Sequence, residues 1–166
     1  MADQLKAVLR RMPAPLGLVS CHDPENQRPA GLVMSALMPV CLEPSAMIIA
    51  VNRAGGAHGA LLRAGRYCIN LLDAEGADHL APFIDPTRRG ERFTDPAWRQ
   101  HAGCWYIAGA PAAVFCAIDT ITPYGTHDLI IGRVEEVVQG RGAAMAGWCN
   151  GGIGQMAPLA AARQAG

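Results

Sequence analysis

A chain of 166 residues, of which 51% are hydrophobic and 17% are charged, has the size and composition of one globular domain. Fourteen basic residues balance fourteen acidic ones, so the formal net charge at pH 7 is zero. A neutral chain has no broad positive field, which argues against nucleic-acid binding and against electrostatic attachment to a membrane. The composition also excludes a disordered chain, because such chains combine low hydrophobicity with high net charge.

The N-terminal segment does not have the pattern of a targeting sequence. Residues 1–6 carry no basic region that leads into a long apolar stretch, and no apolar run approaches the roughly 18 residues of a membrane-spanning helix. We therefore expect a soluble, cytoplasmic protein. The six cysteines form no Cys-x-x-Cys pair and mostly lie in apolar segments, which predicts buried free thiols and no metal site.

The predicted elements begin with a short helix, and most of the remaining chain is predicted as strands. Apolar residues at helical spacing over residues 5–12 predict a helix that Asp3 caps and Pro13 ends. Segments 39–44 and 84–98 are predicted as irregular connections, and short helices are predicted near residues 60–64 and 75–83. The strand-like segments are residues 16–21, 29–38, 46–51, 66–72, 104–107, 112–122 and 128–138, with a last short strand near Trp148 and a fraying end at 150–166.

Most connections between these strands are too short for a parallel crossover. The sequence therefore predicts an antiparallel sheet that closes into a barrel, with short helical excursions. No internal repeat or low-complexity tract interrupts this pattern, so one domain is predicted.

A glycine-rich loop at residues 52–58 follows an apolar strand and leads into a predicted helix. The N–H groups of such a loop and the start of the helix can bind an anion, and Arg53 adds a positive charge. Gly55 and Gly56 would let a ligand approach the backbone closely. The segment is neither a Walker A sequence nor a Gly-x-Gly-x-x-Gly fingerprint. By itself such a segment is more often an ordinary glycine turn before a helix, and an anion site is the other interpretation.

Two further polar side chains could either bind a ligand or have an ordinary structural role. Ser35 lies in an apolar segment, where it could donate to a flat ligand or bond to neighbouring backbone. His127 follows a turn at the start of a strand, where it could donate to a ligand or be a solvated turn residue. No Gly-x-Ser-x-Gly sequence supports a serine nucleophile. Arg88, Arg89 and Arg92 could form a phosphate clamp, although a solvated loop is the commoner case.

Six segments in chain order resemble the short-chain flavin reductases, a family that includes the reductase components of two-component flavin-dependent monooxygenases. The resemblance covers roughly residues 8–156. The segments are Gly31 with Ser35-Ala36-Leu37, Leu42-Glu43-Pro44, the loop Asn52-Arg53-Ala54-Gly55-Gly56-Ala57-His58, Gly65-Arg66-Tyr67-Cys68-Ile69-Asn70-Leu71-Leu72, Arg92-Phe93, and Gly125-Thr126-His127-Asp128-Leu129-Ile130-Ile131-Gly132-Arg133-Val134.

The resemblance implies a mainly β fold, a six-stranded antiparallel split β-barrel of Greek-key type that binds FMN and has short helical excursions. It implies one domain at residues 1–156, followed by a frayed tail at 157–166, and a homodimer with flavin near its interface. The residues that it assigns to the flavin ring are Ser35, Ala36 and Leu37. Those assigned to the phosphate are Asn52, Arg53, Gly55, Gly56, Ala57 and His58. His127 would be the catalytic residue beside the flavin ring and the nicotinamide, and Trp148 would be a wall of the pocket; no metal is implied.

The implied activity is an NAD(P)H-dependent flavin reductase that transfers hydride from NADH or NADPH to FMN or FAD and supplies a partner monooxygenase. One alternative is a non-catalytic split barrel that only binds flavin. Another is an oxidase similar to the pyridoxamine-phosphate oxidases. That oxidase would need a second, basic phosphate pocket, which only the arginine loop at residues 88–92 could supply.

The sequence also departs from the family pattern in ways that affect the phosphate loop. Gly55, Gly56 and Ala57 stand where the family usually has Ser, Ser and Thr, and Thr126 stands where an acid usually precedes the histidine. Each lost hydroxyl contact to a charged phosphate would cost about 1.5–3 kcal/mol. Weak retention of flavin suits a reductase that treats flavin as a substrate and releases it.

Overall fold

The computed structural model describes residues 1–73, 75–141 and 144–156. Its helices are α1 (Ala2–Arg11), α2 (His58–Ala64) and α3 (Ala81–Ile84), with 3₁₀ segments at Glu75–Leu80 and Pro86–Glu91. Its strands are β1 (Ala14–Pro15), β2 (Gly17–Asp23), β3 (Arg28–Met34), β4 (Leu37–Leu42), β5 (Ser45–Asn52), β6 (Arg66–Leu71), β7 (Trp98–His101), β8 (Cys104–Ile107), β9 (Ala112–Tyr124), β10 (His127–Gln139), β11 (Ala146–Cys149) and β12 (Gly152–Gln155).

One antiparallel sheet dominates the fold, with its strands in the order β3-β2-β6-β9-β10-β5-β4. Two smaller sheets, β1-β11-β12 and β7-β8, lie outside it. Across residues 1–73, 75–141 and 144–156, the edge strands β3 and β4 form no ladder with each other, so the barrel is split between them. The predicted mainly β, antiparallel architecture is confirmed, and the main sheet has seven strands where six were expected.

The additional strand comes from a break that the sequence did not reveal. Residues 29–38 were predicted as one strand and 39–44 as a connection, and both predictions are wrong. The chain bends at Ser35 and Ala36, and β4 then pairs with β5. Pro39 is tolerated in β4 because this is an edge strand, where the missing N–H need not serve a ladder.

The two ends of the chain also differ from the predictions. Helix α1 begins at Ala2 after the N-cap residue Met1, and no side chain caps it, so Asp3 lies within the first turn. Residues 152–155 were predicted to fray but form β12, which pairs with β11. Asn150 and Gly151 have φ angles of 51° and 81°, which suit a two-residue hairpin turn. The predicted tail at 157–166 lies outside the described residues.

The core lies between the main sheet and α2. Val19, Ile49, Leu61, Tyr67 and Ile130 are completely buried in this cluster, and burial of such apolar area is the main stabilising contribution. Helix α2 contributes the buried side chains Ala60 and Leu61, which fix its position against β2 and β6. The loop before α2 is therefore anchored at both ends, by β5 and by the packed helix.

A buried amide joins three strands beside this core. Asn70 is completely buried, and its Nδ2 donates to the Leu18 carbonyl at 2.8 Å and to Ser20 Oγ at 3.0 Å. Its Oδ1 accepts from the Ile107 N–H at 2.8 Å. All the polar atoms of the amide thus have partners, which a buried side chain of this kind requires. Asn70 fixes β8 against β2 and β6.

The six cysteines are free thiols, and most of them are buried, as predicted. Burial raises the pKa of Cys21, Cys104 and Cys116 to about 12. The buried ones are Cys21, Cys68, Cys104 and Cys116; Cys41 is exposed and Cys149 is half-buried. Within the described residues, no cluster of His, Cys, Asp and Glu could hold a metal ion. No helix in the same part of the chain is long and apolar enough to cross a membrane.

Asp23 links the turn after β2 to the end of α2. Arg63 donates from Nε to Oδ1 at 3.2 Å and from Nη2 to Oδ2 at 2.7 Å, and Asn26 donates to Oδ2 at 2.7 Å. The hydrogen bonds from Arg63, and then that from Asn26, hold the pKa of Asp23 well below its ordinary value. The ionised carboxylate therefore stabilises the folded state above the pKa of an unfolded aspartate, about 4, and this contribution is lost as the pH falls further.

We expect Asp23→Asn to be less stable than the wild-type chain at pH 7 and to lose less stability on acidification. The free energy of unfolding, measured in urea at pH 7, 5 and 3, checks this expectation. The difference in stability between the two proteins should begin to narrow between pH 5 and pH 3, because the unfolded wild-type chain takes up a proton there while the folded carboxylate stays ionised. Parallel losses of stability would contradict this role for Asp23.

Candidate functional site

Three of the predicted site segments meet at one end of strands β4, β5 and β10. The Ala36 carbonyl, next to Ser35 in the bend before β4, accepts from the Ala50 N–H of β5 at 2.9 Å. Strand β5 ends at Asn52, which pairs with His127, the first residue of β10. Neighbouring strands lie about 4.8 Å apart, so these segments span roughly 10 Å. The structure thus brings the bend, the glycine-rich loop and His127 to one end of the sheet.

Most backbone N–H groups of the glycine-rich loop are already used within the protein. The N–H of Arg53 donates to the Thr126 carbonyl, and that of His58 donates to the Gly55 carbonyl, both at 3.0 Å. The N–H of Ala54 donates to Asn52 Oδ1 and that of Gly55 to the Asn52 carbonyl, both at 2.9 Å. In the described part of the chain, the adjacent N–H groups of Gly56 and Ala57 have no acceptor. Two neighbouring amides beside an arginine can bind one anion. The loop therefore offers fewer donors than its sequence suggested.

Two basic side chains of the loop, those of Arg53 and His58, converge on one buried acid. Asp128 Oδ2 lies 2.7 Å from His58 Nε2, and Asp128 Oδ1 lies 3.6 Å from Arg53 Nη1. The side chains of Asp128 and His58 are 8% and 14% exposed, whereas that of Arg53 is 45% exposed. Arg53 also donates to the carbonyl of Gly125 in the β9–β10 turn. Arg53 and His58 thus fasten the loop to the β9–β10 hairpin.

Sequence reasoning did not identify Asp128. It is an acid in an apolar strand directly after His127, and this was the signal that could have drawn attention to it. Its partner Arg53 is far from it along the chain, and the contact exists only because β5 pairs with β10. His58, predicted to bind phosphate, has its imidazole on this acid instead.

His127 lies on the opposite face of β10 from Asp128, because side chains alternate along a strand. Its Nδ1 is 2.9 Å from Thr126 Oγ1, and the side chain is half-buried. Asn52, directly opposite on β5, is on the same face. His127 therefore has a defined ring position at the end of the sheet where the three segments meet.

A cavity of about 360 Å³ adjoins the bend before β4. Its volume is within the range of about 300–1,000 Å³ that is usual for ligand pockets, and its walls are mainly apolar, which suits a flat aromatic ring. It brings Ser35 and Trp148 together, whereas His127 and the loop residues do not line it. The lining residues are Leu16, Val33, Met34, Ser35, Phe83, Ile84, Trp148 and Ile153.

The arginine loop at residues 88–92 does not form a free basic pocket. Arg88 Nη2 lies 2.7 Å from Glu91 Oε2, and Arg92 donates to the carbonyls of Pro82 and Phe83 at 2.8 and 3.0 Å. Two of the three arginines are thus held within the protein. This arrangement disfavours the oxidase alternative, which needs a second phosphate pocket here.

Comparison with known proteins gives one consistent result. Residues 9–157 match the model of the flavin reductase like domain family. The reductase component of the FADH(2)-dependent resorcinol hydroxylase from Rhizobium sp. (strain MTP-10005) is 27% identical over 135 residues, which cover 81% of this chain and 75% of the relative. The NADH-dependent FMN reductase RutF 2 from Methylorubrum extorquens (strain PA1) is 31% identical over 143 residues, which cover 86% of this chain and 82% of the relative.

The fold is also shared with a solved structure. The flavin reductase domain protein from Arthrobacter sp. FB24 superposes with a TM-score of 0.87 at 14% sequence identity, with 96% of this chain and 98% of the other covered. At this identity the likeness concerns the fold, and it confirms the predicted architecture. The family match and the curated relatives confirm the predicted resemblance.

Proposed function

The chain belongs to the family of flavin reductase like domains, and on that premise we propose that it is an NAD(P)H:flavin oxidoreductase that supplies reduced FMN or FAD to a partner monooxygenase. The names of its relatives support this class of enzyme. The observation that carries the proposal is the convergence of the Ser35 bend, the glycine-rich loop and His127 at one end of the sheet, beside an apolar cavity.

In this proposal each predicted residue has a role that its surroundings allow. Bound flavin and nicotinamide supply the hydride chemistry, from C4 of the nicotinamide to N5 of the flavin. The Ser35 hydroxyl and the backbone of Ala36, both exposed, bind the edge of the flavin ring. Trp148 forms one wall of the apolar cavity. Leu37 is buried and supports the bend from within the core. His127 would touch the ring as the catalytic residue.

The phosphate is assigned to Arg53 and to the unpaired N–H groups of Gly56 and Ala57. Gly55 and Asn52 shape the loop rather than contact the ligand, because the Gly55 N–H donates to the Asn52 carbonyl. The Asn52 side chain similarly accepts from the Ala54 N–H, and His58 binds Asp128.

Anaerobic stopped-flow mixing of the protein with NADH, with and without added FMN, tests the proposed activity. Bleaching of the flavin absorbance that depends on the protein is the expected result. NADPH and FAD, used in place of NADH and FMN, establish which nucleotide and which flavin are preferred. Flavin binding without bleaching by either nucleotide would overturn the proposed activity and favour a non-catalytic flavin-binding barrel.

We place the enzyme in the cytoplasm. Four of its six free cysteines are buried, and free thiols persist in a reducing compartment. A cytoplasmic reductase also has direct access to NADH and to a partner oxygenase, which the proposed activity needs.

A homodimer is proposed from the exposed apolar surface of β4. This edge strand exposes 59% of Met38, 47% of Val40 and 83% of Leu42. An apolar edge strand is a surface for association with another chain, and natural monomers usually protect such edges with charged side chains. The adjoining face of β5 and β10 has further half-buried apolar side chains, so β4 and this face together form a continuous candidate interface.

Sedimentation velocity at micromolar concentration tests the dimer. We expect the wild-type chain to sediment at about twice its mass of 17.5 kDa and Met38→Glu to sediment as a monomer, because a charge buried at an apolar interface is costly. Val137→Glu is the matched control, since Val137 is 49% exposed on another part of β10. A single 17.5 kDa species for the wild type would refute the dimer.

A further inference from the structure

Asp128 contacts both Arg53 and His58 of the proposed phosphate loop. Its carboxylate is 2.7 Å from His58 Nε2 and 3.6 Å from Arg53 Nη1, and its side chain is 8% exposed. The position of the acid is fixed, because Asp128 lies within the ladder of β10 and pairs with Val51 of β5. Arg53 is restrained twice, by Asp128 and by the Gly125 carbonyl.

This arrangement weakens the loop as a phosphate site. A phosphate placed on Arg53 would also lie close to the negative charge of Asp128, and the repulsion is only partly screened near a protein surface. The remaining donors are the N–H groups of Gly56 and Ala57, since the other amides of residues 53–58 have partners. The loop residues Gly55, Gly56 and Ala57 have no hydroxyl groups to add further contacts.

We propose that Asp128 is a positioning residue that restrains Arg53 and thereby sets the flavin specificity of this chain, so that riboflavin is bound nearly as well as FMN. This inference rests on the proposed function, because it concerns the same flavin site. It identifies the substrate class as flavins in general, with or without a phosphate. Recognition then depends mainly on the ring, which the bend before β4 and the apolar cavity accommodate.

Dissociation constants for FMN and riboflavin, measured by quenching of flavin fluorescence, test the proposal. For the wild-type chain we expect the two constants to agree within about threefold. For Asp128→Asn we expect FMN to bind about 3- to 10-fold more tightly, because the repulsive charge is removed, while riboflavin changes less than about twofold. The asparagine retains an oxygen that can accept from His58, so the loop keeps one of its attachments to the hairpin.

A gain in FMN affinity in Asp128→Asn would show that Asp128 controls specificity and does not merely support the structure of the loop, because damage to the loop would weaken FMN binding. Asp23→Asn is the matched control: it makes the same chemical change at another acid bound to an arginine, and it should not alter the ratio of the two constants. In an Arg53→Gln background, Asp128→Asn should change that ratio less than it does in the wild-type chain, because the part of its effect that passes through Arg53 is absent.

Arg53→Gln alone provides a second test that does not require Asp128→Asn to fold. An arginine without a competing acid would contribute about tenfold or more to phosphate binding. Here we expect Arg53→Gln to change the FMN:riboflavin ratio less than about threefold, since Asp128 already opposes its charge.

The inference is overturned if wild-type protein prefers FMN by more than about 30-fold, which is the discrimination expected of an unopposed charged contact. Equal weakening of FMN and riboflavin binding in Asp128→Asn would overturn it too, because this would show a structural role. Its failure is distinguishable from that of the proposed function. Protein that binds both flavins as expected but does not bleach them with NADH or NADPH would refute the reductase activity alone.

Discussion

We expect replacement of His127 by alanine to slow reduction of bound flavin by NADH about 10- to 1,000-fold, the range expected for loss of one aimed donor. Folding and flavin affinity should change little, because the side chain is half-buried at the end of β10 and makes no core contact of the kind that Ile130 makes. A donor held beside the ring stabilises the negative charge that reduction places there, so its main effect is on the transition state.

The surroundings of His127 favour such a role over that of a solvated turn residue. Thr126 Oγ1 lies 2.9 Å from Nδ1 and restrains the ring. This contact involves Nδ1 alone, so Nε2 remains available to a ligand. His127 also lies beside Asn52 on the neighbouring strand, close to the start of the proposed phosphate loop.

Single-turnover reduction at saturating NADH measures this effect. His127→Gln keeps an N–H donor and should retain part of the rate, whereas His101→Ala is a matched control. His101 pairs with Glu136 at 2.8 Å on an exposed surface, so its loss should not affect reduction. A wild-type limiting rate and NADH affinity in His127→Ala would remove His127 from the site. Weaker NADH binding at an unchanged limiting rate would assign it to nucleotide binding instead.

The strands of the sheet interior could be predicted because local pattern and burial agree there. The apolar segments that became β5, β6, β9 and β10 are recognisable without knowledge of their partners. Strand β4 could not be found this way, since Pro39 is acceptable only at an edge and edge position is a property of the whole sheet. The β11–β12 hairpin was predictable, because Asn150-Gly151 is a strong signal for a two-residue turn.

The sequence could predict which residues belong to the candidate site, but it could not predict the contacts that they make with each other. Sequence order places Ser35, Arg53 and His127 in the family pattern, and the structure brings their segments to one end of the sheet. The pairing of His58 with Asp128 joins residues 70 positions apart, and its existence depends on the register of β5 and β10. Which loop amides remain free likewise depends on these long-range contacts.

Gly132 shows how strongly such long-range packing constrains a single position. It lies at an irregularity in the pairing of β9 with β10. A Cβ atom at this glycine would overlap Tyr67 Oη and would lie 2.8 Å from Tyr67 Cζ and 2.9 Å from Cys116 Cβ. Tyr67 and Cys116 are 0% and 1% exposed and belong to the neighbouring strands β6 and β9, so neither can move away without disturbing the core.

We therefore expect Gly132→Ala to lower the free energy of unfolding by about 1–3 kcal/mol, the usual cost of overpacking a core. The melting temperature should fall by roughly 2–4 °C per kcal/mol for a chain of this size. Thermal and urea unfolding measure both quantities. Gly154→Ala is the matched control, because a Cβ at this strand glycine would meet nothing within 4 Å.

The variant Tyr67→Phe tests whether the Tyr67 hydroxyl is the main group that clashes with a Cβ atom at position 132. Among the described residues, the buried Tyr67 Oη has no hydrogen-bond partner, so its removal sacrifices no such bond and should be nearly neutral by itself. Combined with Gly132→Ala it should restore part of the lost stability, because the two changes act on one contact. Full wild-type stability of Gly132→Ala alone would show that β10 can shift away from Tyr67. Equal destabilisation with and without Tyr67→Phe would place the clash at the ring or at Cys116 instead.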